Sequence, residues 1–144
     1  MRLPSFSGLV SALAVSAWSA SSSAASLTVE VVGMTVGSSA VMAAVFDRET
    51  DVSDSAGAVH RAVLKVERDL SARWLLVDLP KGSYGIGVFH DLDGDGLLDK
   101  NLFGLPTEPY GFSNGARGLL GPPAFGAIRF ELGDEPLTVR IEVR

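Results

Sequence analysis

From Leu137 to Arg144, the apolar residues Leu137, Val139, Ile141 and Val143 alternate strictly with Thr138, Arg140, Glu142 and Arg144. A repeat of two puts all four apolar side chains on one face of an extended strand, whereas a helix would scatter them around its axis. Leu27–Val31 shows the same period. In Tyr84–His90, residues Tyr84, Ile86, Val88 and His90 share one face, and Gly85, Gly87 and Phe89 share the other. Val59–Glu67 alternates less regularly, Arg73–Leu79 carries Trp74-Leu75-Leu76-Val77, and Ala127–Leu132 adds a further short run. Ala40–Phe46 is apolar almost throughout, as a strand buried on both faces would be. Turn formers separate the runs: Gly33 and Gly37, Asp54–Gly57, Pro80-Lys81-Gly82 and Gly133-Asp134-Glu135-Pro136. Short strands at this spacing predict an all-β fold, a seven-stranded antiparallel sandwich with immunoglobulin- or prealbumin-like layering. Only Ala56–Leu70 offers a helical alternative.

A length of 144 residues suits one such domain. The hydrophobic fraction of 47% is too high for a disordered chain. With no cysteine, disulfides, thiolate metal sites and cysteine nucleophiles are excluded. A net charge of -5 argues against nucleic acid as a partner, since binding it requires clustered Lys and Arg.

Residues 1–25 read as a secretory signal peptide. Arg2 is the only charge before Glu30, Leu9–Trp18 is a short apolar run, and small residues follow at Ser22, Ser23, Ala24 and Ala25. Ser23 and Ala25 fit the positions that a signal peptidase reads, with Ser22 and Ala24 nearly as good. Ser11, Ser16 and Ser19 interrupt the apolar stretch, and a membrane span needs roughly 18–20 consecutive apolar residues. The expectation is a single β-sandwich domain over residues 26–144, periplasmic or secreted, with no membrane span once the leader is removed.

One connection, Asp91–Phe125, breaks the strand rhythm. It holds 7 of the 16 glycines and 4 of the 7 prolines, together with apolar residues from Leu97 to Leu120, so it reads as an ordered loop packed on the sheets. It opens with Asp91-Leu92-Asp93-Gly94-Asp95-Gly96-Leu97-Leu98-Asp99. Acids at positions 1, 3, 5 and 9, a glycine at 6 and a carbonyl at 7 follow the order in which an EF-hand-type loop surrounds calcium. The expected oxygen donors are Asp91, Asp93, Asp95, the Leu97 carbonyl and Asp99. Position 12, which normally supplies a bidentate acid, is Leu102, so a remote residue must close the shell. Glu108 is the first choice and Asn101 the second. The competing reading is a plain acidic turn facing water.

Other chemistry is thinner. Ser113, His90 and Asp91 assemble a hydrolytic triad on paper, but no nucleophile elbow accompanies them. Two histidines are too few for a zinc site. Tyr110, Phe112 and Phe125 read first as anchors of the long loop, and Tyr110 and Phe112 second as a platform for sugars or peptides.

Gly87-Val88-Phe89-His90-Asp91, the acidic turn, Asp99, the run Phe103-Gly104-Leu105-Pro106-Thr107-Glu108-Pro109-Tyr110-Gly111-Phe112-Ser113-Asn114 and Gly121-Pro122-Pro123-Ala124-Phe125 together resemble the signature of bacterial exported proteins grouped as domain of unknown function 2141. The resemblance covers about a third of the chain. It implies a signal peptide and one small all-β domain, and it supplies no activity. Members of that family often carry Asn where this chain has Asp93 and Asp95, and an Asn side chain also offers an oxygen. The expected function is therefore a non-catalytic binding or structural module of the cell envelope with a calcium-organised loop, whose partner is an envelope protein or a glycan. The alternatives are a carbohydrate- or peptide-binding module using Tyr110 and Phe112, and a hydrolase using His90 and nearby acids.

Overall fold

A computed structural model describes residues 25–35, 39–48, 52 and 55–144. The expected leader lies outside the described residues except for Ala25, which is buried, opens the first strand and pairs with Leu79. A cut after Ala24 would leave that strand whole.

Eight strands are present among the described residues: β1 (Ala25–Val32), β2 (Ala40–Phe46), β3 (His60–Lys65), β4 (Ala72–Leu79), β5 (Gly82–Asp91), β6 (Tyr110–Phe112), β7 (Phe130–Leu132) and β8 (Leu137–Glu142). The strand beyond the seven expected is β6, three residues inside the long loop, too short for any periodicity to show. The possible helix over Ala56–Leu70 is absent: a 3-10 turn at Ser55–Gly57 leads directly into β3. Ala127 does not begin a strand either. Phe125–Ile128 forms a single helical turn, α1, and β7 starts after it.

The strands form two sheets, β4-β1-β8 and a five-stranded sheet in which β3-β2-β5-β6 run side by side and β7 pairs with the start of β5. Pairing is antiparallel except between β1 and β8, which run parallel, so the expectation of a wholly antiparallel arrangement is corrected there. Period-two patterning is the same for both pairings and cannot tell them apart. The sheets share one core, to which Leu27, Val29 and Val31 of β1 and Ile141 of β8 contribute from one side, and Val41, Val45, Ile86 and Val88 from the other.

Two local features shape the faces. In β4 the register slips by one residue opposite Ala25–Leu27, and Asp78 takes a left-handed φ of 61°. This bulge lets Leu76 and Leu79, three residues apart, both point inward, while Leu75 and Val77 stay 63% and 61% exposed. On the outer face of β5, Gly85 and Gly87 leave bare backbone. A Cβ at Gly85 would lie 2.6 Å from Ile128 Cδ1, and one at Gly87 would lie 3.1 Å from Phe112 Cε1. A second, smaller core of Phe46, Phe125 and Ile128 sits there, with Ala44 and Phe112 against it.

Candidate metal centre and adjoining cleft

The acidic loop leaves the sheet at Asp91, the last residue of β5, which pairs with Ala40 of β2. Asp91 is buried, and its two carboxylate oxygens accept hydrogen bonds from the amides of Gly94 (2.8 Å) and Gly96 (2.9 Å). Both glycines adopt left-handed φ, 82° and 78°, which wraps the turn around that carboxylate. Asp93 Oδ1 accepts from the Asp95 amide (3.1 Å), and Asp95 Oδ1 from the Leu97 amide (2.7 Å).

Glu108 returns to this turn from the far side of the loop. It is buried, with Oε1 accepting from the Leu92 amide (2.6 Å) and Oε2 from the Asp99 amide (3.2 Å). The backbone brings it there. The His90 amide donates to the Pro109 carbonyl (2.8 Å), and the Thr107 amide donates to the Asp99 carbonyl (2.8 Å). All five acids singled out from the sequence thus converge. Ligand oxygens of Asp91, Asp93 and Asp95 lie within 4.8 Å of one another, as do those of Asp93, Asp99 and Glu108, so Asp93 belongs to both groups. Asp93 is also the main reason the Asp99 carboxyl is pushed above the ordinary aspartate value, with desolvation, Asp95, Glu108 and Asp91 adding to it. Asn101 stands apart: its side-chain oxygen accepts from the Phe103 (2.9 Å) and Leu105 (3.1 Å) amides and shapes the turn between Lys100 and Pro106.

The residues of the paper triad have other partners. The Ser113 hydroxyl is fully buried, accepts from the Ile86 amide (3.0 Å) and donates to the Ile128 carbonyl (2.5 Å). Ile86 falls between the stretches of β5 that pair with β7 and β6, so the side chain fills a gap in the ladder. His90 is also fully buried. Its Nε2 lies 2.5 Å from the Ser39 hydroxyl, while Nδ1 has no partner among the described residues. Burial holds the imidazole below its ordinary pKa, against the opposing pull of the Glu108 and Asp91 charges. Ser39 was not singled out from the sequence. It is 51 positions from His90, and only the β2–β5 pairing brings the two together.

Tyr110 and Phe112 are half-buried on β6. Their rings meet edge-on, 6.0 Å apart at 74°, and therefore do not present one flat surface. The Arg117 guanidinium sits 4.6 Å from the centre of the Tyr110 ring. Both aromatics line a cleft of about 450 Å3 on the outer face of the five-stranded sheet, a feature that no local pattern announces.

The matched region spans the whole of this architecture. Residues 29–140, from β1 into β8, match the model of a family described as an uncharacterised protein conserved in bacteria, domain of unknown function 2141. The chain belongs to this family. No curated protein and no solved structure matches it. The earlier resemblance rested on residues between Tyr84 and Phe130, and the family match extends well beyond them on both sides. Among the described residues no helix is long and apolar enough to cross a membrane.

Proposed function

We propose that this family member is an exported, non-catalytic module of the cell envelope, periplasmic or secreted, whose long loop is organised by calcium. The observation that supports the calcium site is the pair of overlapping acidic groups, Asp91, Asp93 and Asp95 and then Asp93, Asp99 and Glu108, joined through Asp93 in a connection that otherwise has little regular structure. Calcium takes six to eight hard oxygens, and five carboxylates with the Leu97 carbonyl reach the lower end of that range. The amides already bound to Asp91 and Glu108 leave further lone pairs on each oxygen. Glu108 takes the part of the bidentate acid that Leu102 cannot play. The shared two-sheet core favours an immunoglobulin- or prealbumin-like reading of the layering, with an envelope protein or glycan as the partner.

Thermal melting of the purified protein during a calcium titration tests the metal. A rise in Tm up to millimolar calcium, reversed by chelator and absent in an Asp93→Ala variant, is the expected result. An unchanged Tm would leave a plain acidic turn, its carboxylates held by backbone amides alone.

A further inference from the structure

The outer face of β2 and β5 is largely apolar, and among the described residues one end of it is closed over by packed side chains. Phe125 and Ile128 close it over Gly85. Towards the acidic loop it stays open and forms the floor of the 450 Å3 cleft, with Met42, Val63 and Phe89 below and two arms of the long loop, around Leu97–Pro106 and Gly118–Pro122, as walls. Such a volume falls within the usual range for small-molecule sites, roughly 300–1,000 Å3.

Beside the hydroxyl-bearing Ser55 and Tyr110, the described charged side chains of the lining are few and of one sign. Among the described residues, Arg61 and Lys100 are its only charged side chains, in a protein with 17 Asp+Glu against 12 Lys+Arg. Among the described residues Lys100 has no ion-pair partner, and the Arg61 guanidinium donates to the Ala56 carbonyl at 3.5 Å. Among the described residues the lining includes no Asp, Glu, Asn or Gln side chain. The walls continue into exposed apolar tips: Leu119 is 98% exposed and Phe103 88%. Isolated apolar residues on a surface need no explanation, but a contiguous apolar hollow with apolar rims marks an interaction site.

We propose that this cleft binds an amphiphile with a single acyl chain and an anionic head, the chain lying along the sheet face and the head paired with Arg61 and Lys100. The charge pattern selects the head, and the hydrocarbon lining selects the tail. The proposal goes beyond the metal reading and stands without it. The acidic cluster only anchors the start of one wall.

Isothermal titration calorimetry of the purified protein with laurate, in calcium and again in chelator, tests it. We expect saturable binding near one laurate per chain in at least one condition. Affinity should rise roughly fourfold per methylene from octanoate to laurate, the worth of burying each CH2 group. Dodecyltrimethylammonium, with the same tail and the opposite charge, should bind at least about tenfold more weakly, the difference expected from losing a charge-assisted contact. An R61E/K100E variant, altered only at exposed positions, should stay folded and lose the preference for laurate. Ala44→Trp, which fills the floor, should abolish binding of either compound. The proposal is overturned if laurate does not bind in either condition, if the two head groups bind equally, or if R61E/K100E retains the preference. Retention of an oligosaccharide, or adsorption to phospholipid vesicles, with no laurate uptake would overturn it in favour of those occupants. A failed metal reading shows separately, as a Tm that calcium does not move.

Discussion

Single side chains in this fold are used for electrostatic and hydrogen-bonding tasks that their types alone do not reveal. Asp99 illustrates the cost of crowding acids together. Its carboxyl is held above the ordinary aspartate pKa chiefly by Asp93. A raised folded pKa means that the native state binds the proton more tightly than the unfolded chain. Its contribution is therefore complete below about pH 3.9 and is lost as pH rises through the folded value. Asp99→Asn should raise the Tm of the calcium-free protein at pH 7 and shrink the rise that calcium produces. Melting curves with and without calcium check both, and an unaltered calcium response would remove Asp99 from the site. Ser113 does different work. Ser113→Ala leaves the Ile86 amide and Ile128 carbonyl without their buried partner, for a loss of about 1–3 kcal/mol in urea unfolding. A Ser113→Ala protein of undiminished stability would show that water replaces the hydroxyl.

At the level of elements, strand existence followed from periodicity, and strand environment did not. The alternation of β8 and β1 maps directly onto alternating burial, because each has one face in the core. In β4, Leu75 and Val77 face solvent by alternation with Ala72 and Leu76, and the bulge at Asp78 returns Leu79 to the core. On the solvent side of the small sheet, Glu30 of β1 lies between Arg73 of β4 (3.1 Å) and Arg140 of β8 (3.4 Å). Such cross-strand pairs contribute roughly 0.2–1 kcal/mol each and help fix register. Strand β6 was missed because Tyr-Gly-Phe is too short to show a period. Its central residue shows what holds it in place. A Cβ on Gly111 would stand 2.5 Å from the Glu142 carbonyl oxygen and 2.8 Å from Ile141 Cγ2. Gly111→Ala should therefore push β6 off the end of β8 and cost about 1–3 kcal/mol, the usual penalty of overpacking. Urea unfolding gives the magnitude, and loss of amide protection confined to residues 110–112 would locate it.

The whole molecule joins two sheets through one core and buries a few polar side chains, among them Ser71, His90 and Ser113. His90 is the most consequential of them for acid stability. Its depressed folded pKa means that the unfolded chain binds the proton first, so stability is present above about pH 6.5 and is lost as pH falls towards the folded value. Asp99 acts in the opposite direction at lower pH. In chelator the Tm should fall between neutrality and mild acid. A His90→Leu variant should flatten that fall, since it removes both the buried base and its orphaned Nδ1. An equal fall in the variant would assign the acid sensitivity elsewhere. The sequence by itself determined what short-range chemistry can determine: extended strands from a period of two, and a cation-like turn from acids at alternate positions beside glycines that permit left-handed backbone. Glu108 could be named in advance because it lies on the same loop as the acids it joins. Tertiary structure alone decided the parallel pairing of β1 with β8, the meeting of Ser39 and His90, the use of Ser113 as a strand-gap filler and the cleft with its two cations. Each of these depends on residues far apart in the chain, which sheet register brings together and which no local pattern records.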